Sequence, residues 1–389
     1  MLYFPPKHPR GLDFKQALRE LDYIGGVLFI LAGTLVLTGI VYTTILPASS
    51  PKVIGTLCSG FATLIGFCLY EHFGSPKQPL TPTRIFTKDK GREFTFPFIV
   101  GFVVTMFYYM TNIVHPTQIA VLWTNETTPL STTLKYSLPS NLGLVFGEIL
   151  LMVFGTKLAA IVKWKWTLTG SVFLMVLFGA LLGMGTQHNK GMMFAFAFIS
   201  QTGFGWAQML SIAFIQFGAP QVELGIAGGL AGVSRFAGGA IAISVYTTIS
   251  KFFFFPAVRL HTLPEFSWLT CSFSVSNVQA TWAAKLIPAA ATGAGLPTSS
   301  LPALVKALPL GSAALAKVPG ITMDIMLAAG AAVQQSYIHA LKVTALSSLS
   351  FGVIAIIACA LCNDIGPKMT SKIEVFLEND EFADRNVYH

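Results

Sequence analysis

The sequence predicts an all-α fold, a polytopic membrane helix bundle with about eight transmembrane helices. Hydrophobic residues make up 53% of the 389 positions and charged residues only 11%, against roughly 25% in an average soluble domain. Long uncharged runs recur along the chain, and each could cross a hydrocarbon core of about 30 Å. In lipid, backbone polar groups must be satisfied within their own segment, so these runs are expected to be helices.

The expected helices follow the chain in three groups. A polar N-terminal segment (1–22) precedes a hairpin of two helices (23–73), five helices lie within 94–250, and one at 342–362 precedes a tail (363–389). The short Pro- and Ser-rich junction between the first two spans favours a hairpin. The eight spans are about Tyr23–Thr43, Pro51–Tyr70, Phe94–His115, Pro139–Val162, Thr167–Thr186, Gly191–Phe217, Glu223–Ser250 and Lys342–Cys362.

Residues 251–341 are expected to form an extracytoplasmic loop. Its later part is rich in Ala, Pro, Gly and Ser, which is typical of short helical turns broken by prolines. Its first part, 251–276 (KFFFFPAVRLHTLPEFSWLTCSFSVS), shares neither that composition nor the pattern of the preceding helix. We interpret 251–276 as an atypical insert, of the kind that translated intron sequence would produce.

Basic residues in the short loops predict the orientation of the chain. With the N-terminus inside, the outer short loops contain only Lys52, Lys135 and Lys190, and the other loop lysines and arginines lie inside. This asymmetry predicts that both termini are cytoplasmic. The net charge of +8 is therefore attributed to membrane orientation, and no nucleic-acid partner is expected.

Motifs for enzyme chemistry are not found in the sequence. It contains no H-E-x-x-H metal motif, no G-x-S-x-G nucleophile motif and no G-x-x-x-x-G-K-[ST] nucleotide loop. The five cysteines are interpreted as small buried hydrophobic residues. The sequence therefore predicts a protein that is not an enzyme and that has no cofactor and no metal site.

The stretch GIAGGLAGVSRFAGGAIAISVYTTIS combines small residues with one cation. Steps of three and four residues place Gly228, Gly232, Arg235 and Gly239 on one helical face. Small residues let two membrane helices approach closely, and a guanidinium on such a face must lie against protein or a water-filled cavity. Two interpretations stay open: a packing surface in which Arg235 braces a neighbouring helix, or a transport route that Arg235 lines or gates.

Glu148 is the candidate for proton coupling. It lies about nine residues beyond Pro139, about 13 Å deep, with Asn141 on the same face. Removal from water would favour the neutral acid, so this group could load and release a proton. The alternative is a structural carboxylate that pairs with Arg235 or forms hydrogen bonds within the bundle.

Several polar residues are candidates for lining a cavity. His115 precedes Pro116 and could mark a helix break at the outer face, or be a structural histidine. Gln201, Trp206 and Gln208 lie in an aromatic-rich span, where they suit an amphipathic organic ligand or hydrogen bonds between helices. The tyrosines of the spans, Tyr108, Tyr109 and Tyr246, are interpreted as ordinary core or interface aromatics.

Several segments together resemble the fungal drug:H+ antiporter-like branch of the major facilitator superfamily, which includes trichothecene efflux pumps and siderophore iron transporters. The segments are LRELDYIGGVLFILAGTLVLTGI, SLPSNLGLVFGEILL, GIAGGLAGVSRFAGGAIAISVYTTI, LPTSSLPAL and DIGPKMTSKIEVFLENDE. The resemblance covers nearly the whole chain except 251–276.

This resemblance implies a carrier with fourteen helices. The chain would correspond to the last eight, two linker helices followed by the C-terminal six-helix bundle, and the N-terminal six-helix half would be missing. The implied function is proton-coupled efflux of toxic organic compounds, or siderophore transport, in the plasma membrane. The implied partners are the lipid bilayer, a small organic substrate or siderophore, and protons. The alternative is a truncated, non-transporting half-carrier membrane protein.

Overall fold

The computed structural model describes residues 18–19, 21–46, 50–74, 79–125, 127–220, 223–248, 282–308, 315 and 317–369. Most of the predicted N-terminal segment, the insert at 251–276 and the tail beyond 369 lie outside the described residues. Most of the described residues are helical.

Ten α-helices are labelled in chain order. They are α1 (Tyr23–Ile45), α2 (Pro51–Phe73), α3 (Thr83–Thr87), α4 (Thr95–Gln118), α5 (Leu130–Val162), α6 (Trp164–Leu181), α7 (Lys190–Gly218), α8 (Leu224–Thr248), α9 (Leu301–Ala307) and α10 (Met323–Leu361). A π turn (Ile119–Trp123) extends α4, and 282–293 is also helical. Short 3-10 turns lie at Lys88–Gly91, Leu182–Met184, Thr298–Ser300 and Gly366–Lys368.

Within the described ranges, seven helices are long and apolar enough to cross a membrane, namely α1, α2, α4 with its π turn, α5, α6, α8 and α10. The remaining predicted span, α7, has 29 residues and carries several amides and glycines, and it is not among these seven. It lies inside the bundle, in contact with α4, α5, α6 and α8. The predicted polytopic helix bundle is thus confirmed, and its least apolar span is an interior helix.

Helix α4 is the centre of the bundle. It packs against α8, α7 and α10, and its buried side chains Val104, Phe107 and Met110 join Val172 and Val176 of α6 in one hydrophobic core. Helix α7 packs against α5 and α6 as well as α4. The hairpin of α1 and α2 contacts this bundle through α1 against α8.

Two helices begin earlier than the sequence predicts. Helix α5 begins at Leu130, directly after its N-cap residue Pro129, and it continues through Pro139. Helix α10 begins at Met323, where Thr322 caps the helix by accepting the N–H of Ile325. Residues 323–341 of the predicted extracytoplasmic loop are therefore helical, and Ala329 and Ala332 pack there against 282–308.

Of the two interpretations of His115, the structure does not show the helix break at Pro116. Helix α4 runs through Pro116, and the N–H of Ile119 is shared by the carbonyl oxygens of His115 and Pro116. Proline lacks an N–H and crowds the preceding turn, and here the helix widens into the π turn beyond it instead of ending. His115 is therefore part of a continuous helix.

Candidate functional site

The packing of α7 defines one polar face of this helix. The ring of Phe204 stacks on Tyr108 of α4 at 4.8 Å, and the backbone of Gly205 lies against the Leu144 carbonyl of α5. Gln201 and Gln208 lie one turn before and one turn after this pair. Helical periodicity therefore places both amides on the α7 face between α4 and α5.

A matching face of α4 lies between α7 and α8. Tyr108 contacts α7, whereas the Phe98 carbonyl oxygen accepts a 2.6 Å hydrogen bond from Ser234 of α8. Thr105 and Asn112, one turn before and after Tyr108, therefore lie between the two neighbouring helices. Thr105 is buried, and Asn112 is half-buried.

The polar faces of α4 and α7 lie on the same side of the bundle. Gly203 of α7 packs on Met175 of α6, and Phe107 of α4 packs on Gly179 of α6 and Gly352 of α10. Helices α6 and α10 lie on one side of α4 and α7. The polar faces of α4 and α7 therefore point to the opposite side, which α5 and α8 border. We call this space, bordered by α4, α5, α7 and α8, the four-helix groove.

Glu148 borders the four-helix groove from α5. It is half-buried near the middle of the helix, and its backbone nitrogen lies 3.2 Å from the position of a Cβ on Gly205. Gly205 adjoins the face that carries Gln201 and Gln208. The structure therefore brings together the proposed proton-coupling residue and two of the proposed cavity residues.

Arg235 borders the groove from α8. It is half-buried, and it lies one turn before Gly239, which packs on the ring of Tyr109. Among the described residues, neither Arg235 nor Glu148 takes part in an ion pair. The structure thus does not show the alternative in which Glu148 pairs with Arg235.

The glycines of α8 separate into two groups. Gly238 and Gly239 pack against Phe102 and Tyr109 of α4, whereas a Cβ on Gly228 would lie 3.8 Å from Gln216 Nε2. Around Gly232 there is no described atom within 4 Å of the Cβ position. Gly228 and Gly232 are therefore not in a tight helix contact, and the packing surface lies on the adjacent face.

Tyr246 of α8 packs in the hydrophobic core, in agreement with its interpretation as a core aromatic residue. It lies two turns beyond Gly239 on the same face of α8, and it is 2% exposed. Its hydroxyl group and Oε1 of Gln201 are both buried without a hydrogen-bond partner in the described structure.

Two other candidates lie elsewhere. Thr202 contacts Gly147 of α5 and Gly203 contacts α6, so Trp206, one turn later, lies between α5 and α6 and away from the groove. Asn141 is exposed on the Glu148 side of α5, and its Nδ2 donates a 3.4 Å bond to the Ser137 carbonyl. Trp206 is therefore not brought to the groove, and Asn141 lies at its outer margin.

His115 belongs to an aromatic cluster at the other end of α4. Its ring lies 5.8 Å from that of Phe194, which also contacts Trp123 and Tyr136. Lys190 donates a 3.0 Å hydrogen bond to the Tyr136 hydroxyl. His115 is 1% exposed, and its Nε2 has no partner in the described part of the chain.

A separate ionic cluster lies where α4 begins and α10 ends. Glu93 accepts from Lys88 at 2.7 Å and from Lys368 at 3.0 Å, and Lys368 also bonds the Phe217 carbonyl. Burial opposes the ionisation of Glu93, but the two ammonium groups outweigh it and hold its pKa below the usual value. This cluster joins the loop before α4 to the ends of α7 and α10.

The spacing C-x-x-C occurs once near the end of α10, at Cys359 and Cys362. Both thiols are buried and reduced, and Cys362 Sγ contacts the Ala358 carbonyl at 3.2 Å. A search of the described residues finds no group of three or more His, Cys, Asp or Glu side chains that could hold a metal ion. These two cysteines pack in the core, whereas Cys58 and Cys68 of α2 are exposed, so the interpretation of the cysteines as buried residues is wrong for those two.

Comparison with known proteins gives the family. Residues 1–261 match the model of the fungal trichothecene efflux pump family. The chain is 41% identical over 371 residues to the MFS-type transporter prx5 of Penicillium rubens, covering 95% of this chain and 62% of that protein. It is 26% identical over 399 residues to the trichothecene efflux pump TRI12 of Fusarium sporotrichioides, covering 99% of this chain and 60% of that protein.

A second TRI12 pump, from Trichoderma arundinaceum, is 24% identical over 395 residues, covering 99% of this chain and 61% of that protein. The chain thus spans about three fifths of the length of the curated relatives it matches. These relatives are transporters and not enzymes, in agreement with the sequence analysis. The chain belongs to the fungal trichothecene efflux pump family of major facilitator superfamily transporters.

Proposed function

We propose that the chain supplies the C-terminal part of a proton-coupled carrier that exports a toxic organic compound across the plasma membrane, with both termini in the cytoplasm. The observation that supports this function is the four-helix groove. It combines a carboxylate in the middle of a membrane span with two amides and the rings of Tyr108 and Tyr109. This combination suits a carrier that binds its substrate near the midplane.

Each side chain has a separate role in this proposal. Glu148 takes up a proton on one side of the membrane and releases it on the other, a role that we give to it because it is a carboxylate in the middle of a membrane span. Gln201 and Gln208 orient a polar substituent of the substrate. The tyrosine rings supply apolar contact.

The open side of the groove lies between α5 and α8. These two helices have no extended contact with each other, although each packs along a central helix. We infer that a further set of helices, the N-terminal half expected from the family resemblance, closes this side. Rocking of the two halves would expose the groove to each face in turn. Arg235 would then lie at the junction of the halves.

The test is efflux of a radiolabelled trichothecene from yeast cells that lack their own export pumps. The gene is expressed at its genomic length, as wild type, as Glu148→Gln and as Asp324→Asn. Asp324 is exposed in the first turn of α10, so this control removes a carboxylate outside the groove. We expect wild type and Asp324→Asn to lower cell-associated label, and Glu148→Gln to reduce the efflux rate at least tenfold.

A ferric siderophore in the same assay distinguishes the second substrate class. Movement of siderophore but not of trichothecene would replace the substrate in this proposal. Equal, background flux in all three strains, with the protein present in the plasma membrane, would favour a half-carrier that does not transport. Unchanged flux in Glu148→Gln would refute the role given to this carboxylate.

A further inference from the structure

The loop between α4 and α5 contains an acceptor sequence for N-linked glycosylation. Asn125 is followed by a residue other than proline and then by Thr127, and no other N-x-[ST] tripeptide occurs in the 389-residue sequence. A tripeptide of this kind is common by chance. Whether the asparagine can react depends on its exposure, on the partners of its amide group and on its distance from the bilayer.

A turn at the start of the loop leaves the amide nitrogen of Asn125 free. Asn125 and Thr127 are both exposed. The Thr127 hydroxyl donates a 3.1 Å hydrogen bond to Asn125 Oδ1, and the Thr128 hydroxyl donates to the same oxygen. The Thr128 N–H closes the turn by donating to the Asn125 carbonyl at 3.0 Å. The amide oxygen is thus engaged, whereas Nδ2, the atom that carries a glycan, has no hydrogen bond among the described residues.

Asn125 differs in this respect from the other described asparagines. Each of the other four uses its Nδ2 atom as a hydrogen-bond donor, namely Asn112, Asn141, Asn189 and Asn363. The asparagine of the acceptor sequence is therefore also the one whose amide nitrogen is available.

The loop also lies beyond the apolar parts of both helices. Helix α4 with its π turn has 29 residues and α5 has 33, so their lengths are about 43 Å and about 50 Å, against a hydrocarbon core of about 30 Å. The charged cluster around Glu93 lies at the opposite end of α4, which places the surplus length of α4 on the loop side. Lys135 in the second turn of α5 is exposed, and an exposed ammonium group is not stable in hydrocarbon. Asn125, farther from the core, is therefore in water.

We propose that Asn125 is N-glycosylated in the lumen of the secretory pathway. This inference rests on the orientation given with the proposed function, in which both termini are cytoplasmic and the α4–α5 loop is on the other side. The donor is an oligosaccharide linked to a lipid pyrophosphate. The bond from sugar C1 to Asn125 Nδ2 forms as the bond from C1 to the pyrophosphate oxygen breaks.

The charges and protons of this transfer balance. The lipid pyrophosphate leaves with the bonding electrons, and the amide nitrogen loses one proton. The hydrogen bond from the Thr127 hydroxyl to the amide oxygen draws electron density from the nitrogen, which makes this proton easier to remove. The attached glycan is bulky and hydrophilic, so it would keep this end of the bundle on the luminal side.

The test is the electrophoretic mobility of the full chain, epitope-tagged and expressed in yeast, before and after an enzyme that releases N-linked glycans. We expect the enzyme to increase the mobility of wild type by the amount of one glycan, and to have no effect on Asn125→Gln or Thr127→Val. Thr127→Ser retains the hydroxyl and should retain the glycan. Thr128→Val is the matched control, because it removes the second hydroxyl bonded to Asn125 Oδ1 but leaves the acceptor sequence intact.

A cysteine in the same loop separates a failure of the glycosylation proposal from a failure of the orientation. Thr128→Cys is made in a chain in which Cys58 and Cys68 are serine, and sealed microsomes are treated with a membrane-impermeant maleimide. Reaction only after the membrane is permeabilised, with no glycan on wild type, would overturn the modification and keep the orientation. Reaction in sealed microsomes would overturn both. A glycan that persists in Asn125→Gln would also refute the assignment. None of these readouts requires transport.

Discussion

Glu93 is a single side chain that joins three parts of the chain. Its carboxylate receives Lys88 from the turn before α4 and Lys368 from beyond α10, and Lys368 in turn bonds the carbonyl of Phe217 near the end of α7. The Glu93 side chain is 15% exposed, whereas the two lysines are more exposed. The ion pairs are thus partly screened, but the loss of Glu93 would leave two cations without their shared partner.

Glu93→Gln is expected to lower the melting temperature of the detergent-solubilised chain, by an amount equivalent to about 1–2 kcal/mol. The pKa of Glu93 is lower in the folded protein, so its contribution is present above the unfolded pKa of about 4.3 and is lost as pH falls through the folded value. The difference between wild type and Glu93→Gln should therefore be constant near neutral pH and vanish in acid. Asp324→Asn is the control, and a difference that increases on acidification would contradict the prediction.

At the scale of elements, α5 is attached to the bundle mainly by a row of glycines. Gly143 and Gly147 lie against the carbonyl groups of Phe198 and Thr202 of α7, and Gly205 of α7 lies against Leu144. Much of the rest of α5 is exposed and apolar, as expected of a surface in contact with lipid. Close backbone approach therefore replaces side-chain interdigitation along this contact.

Gly147→Ala is expected to destabilise the protein by about 1–3 kcal/mol, because the added methyl group would meet the Thr202 backbone and force the helices apart. Gly170→Ala in α6 is the matched control, since no described atom lies within 4 Å of its Cβ position. Thermal unfolding in detergent measures both. Equal melting temperatures for the two variants would show that α5 can move away from α7 without cost.

The C-terminal end of α4 shows how a proline is accommodated inside a span. Gln118 Nε2 donates to the Leu182 carbonyl at 2.5 Å and Trp123 Nε1 donates to the Thr186 carbonyl at 3.0 Å. These bonds tie the π turn to the connection between α6 and α7. Pro116 therefore alters the helix locally without ending it, because its neighbours are held by tertiary hydrogen bonds.

At the scale of the whole molecule, exposure alone does not distinguish the groove from the lipid-facing surface. Gln208 is half-buried, whereas Phe173 of α6 is 50% exposed. In a membrane we expect the order of access to water to be reversed, with Phe173 facing lipid and the four-helix groove open to water. The polarity of the groove residues, rather than their exposed fraction, indicates which surface is wet.

Cysteine labelling in membranes tests this arrangement. In a background in which the exposed Cys58 and Cys68 are replaced by serine, Gln208→Cys is expected to react with a small water-soluble maleimide at least tenfold faster than Phe173→Cys. After solubilisation in denaturing detergent the two should react at similar rates. Faster reaction at position 173 in the membrane would mean that α6, and not the groove, contacts water.

The extent of sequence-based prediction differs between spans and contacts. The bounds of α1, α7 and α8 were predictable to within a few residues, because uncharged runs and their polar ends mark the limits of the hydrocarbon core. The starts of α5 and α10 were not predictable in this way, because a helix that continues beyond the hydrocarbon core is not marked by hydropathy at its end. Glu148, Gln201 and Gln208 were recognisable as polar residues inside spans, and Tyr246 as a core aromatic residue.

The sequence by itself determined that lipid is the solvent for this chain, because hydropathy and span length depend on composition alone. It also determined which interior residues are polar enough to need an explanation. Only the tertiary structure decided which of them lie near one another. Gln201 and Gln208 lie on the face of α7 next to the part of α5 that carries Glu148, whereas Trp206, two residues from Gln208, lies on another face of α7. The physical reason is that helical periodicity orders residues around an axis, but the rotation of each helix is set by packing with its neighbours, such as Phe204 on Tyr108 and Gly205 on α5.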